Sequence, residues 1–199
     1  MFNIISKYIC SKMIKKKLIT EKNLSVCEYA MEVIMLNSLL LLILLSISLL
    51  LGQGLFFVCY IIFFVPLRMF SGGYHSKRSE VCLVLSVTLY MVGIVFVNID
   101  TAIFVNKIII ILALICSLFM FEYAPVVNPG RPLSSSRITK IRSMVRKIIF
   151  INIILFVICY KFNSIIASYE IVFTLLNGAL FAFGVLENRI SSKGFWYFI

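Results

Sequence analysis

Long uncharged stretches separated by short polar segments dominate the pattern of the chain. From residue 33 to residue 67 there are 35 consecutive uncharged residues, enough for two membrane-spanning helices, with Gly52-Gln53-Gly54 as the natural break. Four further apolar stretches follow. The pattern predicts six spans, at about 31–51, 55–67, 81–98, 103–121, 148–160 and 171–186. Pro66 is expected to end the second span, and residues 122–147 and 161–170 are expected to be polar connections.

Composition assigns the chain to the integral membrane proteins. Hydrophobic residues make up 62% of its 199 residues, whereas soluble domains have roughly 45–50%. We therefore expect an all-α membrane domain over residues 31–190 and a cytoplasmic tail over residues 191–199. Residues 1–30 are basic and amphipathic, which favours a helix lying on the inner leaflet; a solvated basic arm and a docking surface for a helical peptide are the alternatives. The apolar positions at helical spacing in this segment are Phe2, Ile5, Ile9 and Met13.

The net charge of +11 is distributed unevenly between the spans. Of the Lys and Arg residues, six precede the first span, three separate the second and third, six separate the fourth and fifth, and two follow the sixth. None lies between the first two spans. The positive-inside rule then predicts a multi-pass protein with both termini in the cytoplasm. Because these charges lie between apolar spans, the lipid bilayer is their expected partner rather than a nucleic acid.

A candidate catalytic pair lies between the second and third spans. His75 is the only histidine of the chain, and Cys82, seven residues later, opens the third apolar stretch. Imidazole is the side chain best suited to take a thiol proton near neutral pH. Seven residues of continuous helix would separate the two by about 10.5 Å, so the chain must turn between them. Gly72 and Gly73 permit a turn just before His75, since glycine tolerates positive φ.

A helix that begins near Ser76 or Ser79 would place Cys82 in its first turn or two. The positive end of the helix dipole, with Lys77 and Arg78 close by, stabilises a thiolate. The oxyanion of an attacked peptide could then be held by backbone N–H groups near the two glycines or at the start of the third span.

Other residues near the pair have less specific roles. Arg68 is predicted either to support the local field or bind a substrate carboxylate, or simply to extend to the membrane interface, which we favour. Ser86 lies one turn after Cys82 and lines the same helix face or helps to orient His75. Glu80, Glu122 and Asn128 are the other candidates for orienting the imidazole. The six cysteines show neither CxxC nor Cys/His ligand spacing, so we predict no metal site, no cofactor and no disulfide framework.

The pattern Arg68…Ser71-Gly72-Gly73-Tyr74-His75…Cys82 resembles the accessory gene regulator protein B (AgrB) family, and the segment Tyr123-Ala124-Pro125…Asn128-Pro129…Arg131-Pro132 is similar to a second stretch of that family. The resemblance implies a membrane-embedded cysteine endopeptidase of quorum sensing in the bacterial cell membrane, with His75 and Cys82 catalytic on the cytoplasmic side. Its substrate would be a short amphipathic, AgrD-like propeptide, cut on the N-terminal side of its acidic tail. A substrate thiol or hydroxyl would then capture the acyl-enzyme thioester and close a thiolactone or lactone ring. The resemblance also suggests a homodimer.

Two other functions remain open from the residues alone. A small-peptide transporter or exporter without proteolytic activity would be favoured by ionisable residues deep inside the spans, and the predicted spans contain almost none. In a structural or receptor-anchoring membrane protein, the spacing between His75 and Cys82 would be accidental.

Overall fold

The structure is a computed structural model that describes residues 2–74, 79–99, 106–126 and 134–191. Within these ranges the secondary structure is entirely helical, as the hydrophobic pattern predicts. The helices are α1 Phe2–Lys15, α2 Leu24–Leu50, α3 Gly54–Ser71, α4 Ser79–Ile99, α5 Lys107–Tyr123, α6 Ser135–Phe162 and α7 Ser164–Ser191. A short 3-10 turn, Glu21–Asn23, leads into α2.

Five of the described helices, α2, α3, α4, α6 and α7, are long and apolar enough to cross a membrane. Helix α5 has 17 residues, or about 25 Å of helix, which is shorter than the roughly 30 Å hydrocarbon core of a bilayer. An all-helical protein with several membrane-span-like helices is thus confirmed. The count of six spans and the placement of the termini stay predictions.

Contacts between helix termini define the two ends of the bundle. At one end, Gln53 Nε2 donates a hydrogen bond to Asn98 Oδ1 over 2.9 Å and joins the α2–α3 turn to the end of α4. At the other end, the Val126 N–H donates to the Ser71 carbonyl over 3.0 Å and joins the segment after α5 to the end of α3. We call the second end the Ser71 end.

An aromatic cluster holds α3, α4 and α7 together. The Phe56 ring lies 5.2 Å from Tyr90, 5.1 Å from Tyr169 and 4.7 Å from Phe173, measured between ring centroids. Helix α2 joins the cluster through a 2.5 Å hydrogen bond between the hydroxyls of Ser48 and Tyr90. Since Phe56 is only 1% exposed and contacts two neighbouring helices, it is the centre of this core.

The prediction that Pro66 ends the second span is wrong. A π-helical segment, Tyr60–Phe64, precedes the proline, and α3 then continues to Ser71. A proline removes one N–H from the helical ladder, and the wider π turn accommodates that loss. Asn177 of α7 adds support, because its Nδ2 donates to the Phe64 carbonyl over 3.4 Å.

The described parts of both predicted polar connections are largely helical. Residues 135–147 form the first half of α6, since Ile138, Ile141 and Val145 recur at helical spacing and pack inward despite the surrounding charges. In the second connection only Asn163 interrupts the helices, and its side chain accepts hydrogen bonds from the first turn of α7. Glu170, assigned to this connection by the sequence, therefore lies inside α7, where it is 3% exposed.

The N-terminal helix packs on α2 through a face that the sequence did not indicate. Ser6 and Cys10 are buried, while Ile9 and Met13 are half-buried and Ile5 is exposed. The helix ends at Lys15, so residues 1–30 do not form one continuous helix.

Replacing Phe56 with alanine should lower the free energy of unfolding by about 3–5 kcal/mol, because the cavity would remove the ring contacts that join α3 to α4 and α7. Unfolding of the purified protein in mixed detergent micelles measures the change. Phe183→Ala is the matched control, since that ring is 61% exposed on the outer face of α7. Equal losses for the two variants would contradict a core centred on Phe56.

Candidate active site

A tight turn of two glycines follows the end of α3. Gly72 has φ +72° and Gly73 has φ +117°, so the predicted positive-φ turn is confirmed. Space is as restrictive as conformation at this point. A Cβ on Gly72 would lie 2.8 Å from the Val126 carbonyl oxygen, and one on Gly73 would lie 2.9 Å from the Leu180 carbonyl oxygen. Only glycine fits both positions without a shift of the neighbouring backbone.

The guanidinium of Arg68 fastens this turn. Its Nη1 donates to the Gly72 carbonyl over 2.5 Å, and its Nη2 donates to the Tyr74 carbonyl. The rigid fork of an arginine suits two neighbouring acceptors, which a lysine ammonium would not hold in the same way. The structure therefore does not place Arg68 as an interface arginine that extends away from the protein, the alternative that the sequence favoured. Arg68 also interacts electrostatically with Cys82 and Tyr60.

Helix α7 and the segment after α5 enclose the glycine turn. The Tyr74 N–H donates to the Leu180 carbonyl over 2.9 Å, and the Val126 N–H donates to the Ser71 carbonyl over 3.0 Å. Gly184, one turn after Leu180, lies so close that a Cβ there would strike the peptide between Gly73 and Tyr74. The backbone up to Tyr74 is thus fixed from two sides.

Cys82 is the fourth described residue of α4, and the helix predicted to begin near Ser76 or Ser79 is present from Ser79 onward. The thiol is half-buried. The first four N–H groups of a helix lack intrahelical acceptors and form the positive end of its dipole. The Arg68 guanidinium lies in electrostatic range of this thiol. His75, Lys77 and Arg78 lie outside the described residues, so the predicted contact between His75 and Cys82 stays a prediction.

The other cysteines have different surroundings, although all six are free. Cys10 is buried between α1 and α2, with its Sγ 2.7 Å from that of Cys27. Burial, together with the hydrogen bond between Cys10 and Cys27, raises the pKa of Cys10 to about 11, so it is a thiol at neutral pH. Cys116 packs closely against Gly178 of α7. A Cβ added to Gly178 would lie 2.7 Å from the Cβ of Cys116. Cys27, like Cys82, lies near the start of its helix; what distinguishes Cys82 is the electrostatic interaction with Arg68.

The structure does not support any one of the candidates for orienting His75. The Ser86 hydroxyl donates to the Cys82 carbonyl over 2.8 Å, a bond within α4 that occupies its only proton. Glu122 is exposed at the end of α5. Asn128 and the Glu80 side chain lie outside the described residues.

The family profile described as "Accessory gene regulator B" matches residues 6–185, which include the glycine turn, Arg68, Cys82 and Gly184. The chain belongs to the accessory gene regulator B family. It is also similar to the accessory gene regulator protein B of Staphylococcus intermedius, with 27% identity over 145 residues, which cover 69% of this chain and 76% of that protein. No solved structure matches the chain. The family resemblance predicted from the Arg68–Cys82 pattern is thereby confirmed, and with it membership of the accessory gene regulator quorum-sensing system.

Two contributors to this AgrB-family site escaped the sequence analysis. Leu180 and Gly184 of α7 contact the glycine turn. In the sequence they lie in an apolar stretch that predicts only a membrane span. A glycine inside a helical pattern usually has a packing reason, so Gly184 was a usable signal. The Leu180 contribution is a backbone carbonyl, which leaves no trace in residue identity.

Gly184→Ala should displace the Gly73–Tyr74 peptide and break the hydrogen bond from Tyr74 to Leu180. Hydrogen–deuterium exchange at the Tyr74 amide should become about fivefold faster, since a net hydrogen bond of about 1 kcal/mol is lost. Gly54→Ala is the control, because a Cβ at Gly54 meets nothing within 4 Å. Unchanged exchange in Gly184→Ala would show that α7 does not secure the turn.

Proposed function

We propose that this AgrB-family protein is a membrane-embedded cysteine endopeptidase that cleaves a short autoinducer propeptide and closes its product into a ring. The observation that carries the proposal is the glycine turn fastened by Arg68, with the same guanidinium in electrostatic range of Cys82 at the start of α4. His75 follows the anchored Tyr74 directly in the chain. Because Tyr74 is fixed, the segment that carries His75 begins at a defined position, which supports the proposed role of His75 as the base for Cys82.

The reaction we infer has two acyl transfers. His75 takes the proton of Cys82, and the thiolate attacks the carbonyl of the scissile peptide bond. His75 then gives the proton to the departing amine, which releases the C-terminal fragment and leaves a thioester on Cys82. A cysteine or serine of the bound propeptide attacks that thioester, closes a thiolactone or lactone, and returns the proton to the Cys82 sulfur. Exchange of a thioester for a thiol is nearly balanced in energy, and a bound peptide gives its own thiol a high effective molarity.

The proposed site lies on the cytoplasmic side. With α5 as a sixth span, both chain termini belong to the Ser71 end, where the first half of α6 also lies. Arg68, Arg142 and Arg146 are at this end, whereas Lys107 and Lys161 lie at the opposite one. The positive-inside rule therefore supports a cytoplasmic Ser71 end. That compartment keeps a catalytic thiol reduced and presents newly made propeptide.

Cys82→Ala and His75→Ala should each abolish cleavage of a co-expressed propeptide, because one lacks the nucleophile and the other the base. Mass spectrometry of the released C-terminal fragment measures cleavage, and an immunoblot of membranes measures insertion.

Cys159→Ala is the matched control and should cleave normally, since this half-buried cysteine lies near the opposite end of the bundle, in the last turn of α6. Normal cleavage by Cys82→Ala would refute the mechanism. If reconstituted Cys82→Ala protein moved the uncut peptide across vesicles, the transporter function would take its place, with the buried Glu170 as its starting point.

Arg68→Lys should reduce the rate of cleavage at least tenfold although it keeps the charge. A lysine cannot hold both turn carbonyls, and each hydrogen bond from a charged group contributes about 1.5–3 kcal/mol. Arg137→Lys, at an exposed position of α6, is the control. Iodoacetamide labelling of Cys82 at neutral pH distinguishes the causes, because Arg68→Lys should label nearly as wild type and Arg68→Gln more slowly. A fully active Arg68→Lys protein would exclude the fork as a requirement.

A further inference from the structure

A groove on the outer face of the bundle runs between the end of α5 and the first half of α6. Its volume is about 410 Å³. Two arginines, a lysine and two phenylalanines line it together with two hydroxyl residues, and none of the described lining residues is acidic. The cations and rings are Arg142, Arg146, Lys147, Phe121 and Phe150.

A second, smaller groove continues the first toward the middle of the helices. It has a volume of about 130 Å³ and is lined by apolar side chains and Ser117. Phe121 and Phe150 line both grooves, so the two form one furrow with a cationic end and an apolar end. Leu118 and Phe150 are 57% and 64% exposed, which places the apolar end on the surface that faces lipid.

The cations of the furrow are held in place by backbone carbonyls. Arg142 Nε donates to the Ala124 carbonyl over 3.1 Å, and Arg146 Nε donates to the Phe121 carbonyl over 3.4 Å. The Arg146 guanidinium also lies 4.7 Å from the centroid of the Phe121 ring. Each of these bonds uses only the Nε–H, so the terminal nitrogens of both guanidinium groups are not engaged by them.

The uncharged part of α6 is short enough to bring these charges to the depth of the lipid phosphates. Only the 13 residues from 148 to 160 are uncharged, which is about 20 Å of helix against a hydrocarbon core of roughly 30 Å. If α6 spans the bilayer, either Arg146 and Lys147 lie at the level of the lipid headgroups or the bilayer thins beside this helix. A charge at that depth needs an anionic partner or a path to the interface.

We propose that the furrow binds one anionic phospholipid, with its phosphate at Arg142, Arg146 and Lys147 and one acyl chain along the apolar end. Basic pockets between membrane helices on the cytoplasmic side suit such headgroups. An acidic peptide would leave charges in the apolar end, and free phosphate would leave that end empty. The proposal is independent of any peptidase activity.

Native mass spectrometry of the full-length protein in a neutral maltoside detergent tests the proposal, by titration with phosphatidylglycerol or with phosphatidylcholine of the same chains. The wild type should retain one phosphatidylglycerol in preference to phosphatidylcholine. Arg146→Gln/Lys147→Gln should bind it about 30-fold more weakly, since each basic residue contributes about 1 kcal/mol and 1.4 kcal/mol is tenfold. Arg137→Gln/Lys140→Gln removes the same charge from exposed positions outside the furrow and should bind as wild type.

Ser143→Asp is a second furrow variant at an exposed position, where a fold defect is not expected, and its carboxylate should also repel the phosphate. Equal phosphatidylglycerol affinity in wild type and in both furrow variants would overturn the proposal, as would equal retention of the two lipids by the wild type. Displacement of the lipid by inorganic phosphate alone would indicate a simple anion site instead. Displacement by a short glutamate-rich peptide would indicate a peptide site, and either result would refute the assignment to lipid.

Discussion

The hydrogen bonds from Arg68 to the glycine turn satisfy two demands at once. A guanidinium at the end of a membrane helix needs acceptors, and the carbonyls of a tight turn at the same depth need donors. Arg68 and the carbonyls of Gly72 and Tyr74 meet both needs within seven residues of chain. The turn therefore has a fixed course where the chain leaves α3, and the proposed pairing of His75 with Cys82 depends on that course.

One face of α7 contacts the elements that position Arg68 at the glycine turn. Phe173 packs in the aromatic cluster, Asn177 bonds the carbonyl of Phe64, and Leu180 and Gly184 contact the turn. These positions follow one another at spacings of four, three and four residues, which is a single helical face. Each added residue in a helix rotates the side chains beyond it by about 100°, so the π segment in α3 sets the direction of Arg68 relative to the aromatic core. Helix α7 thus fixes the core, the π segment and the turn together.

Features set by neighbouring residues could be predicted from the sequence, whereas contacts between distant helices could not. The turn at Gly72 and Gly73 follows from a short-range rule on glycine and is present, and α4 is helical from Ser79 onward. The end of α3 was misplaced because a proline rule ignores the support that a distant Asn177 gives to a π turn. The first half of α6 was taken for a loop because its charges masked an apolar face that only another helix reveals. The partner of the turn on α7 is a backbone carbonyl and an absent side chain, which a sequence cannot specify.

The shortness of two neighbouring helices bears on the proposed peptidase reaction. Helix α5 measures about 25 Å and the uncharged part of α6 about 20 Å, whereas α7, with 28 residues, measures about 42 Å. Lipid beside α5 and α6 must therefore thin, or its phosphates must approach the helices, as the basic furrow would require. The bond from Val126 to Ser71 joins the glycine turn to the end of the short α5, so the turn shares its depth. In the proposed reaction, a thiol at this level would meet a peptide in the membrane interface and less water than a thiol in solution, which would favour acyl transfer to the peptide's own thiol over hydrolysis.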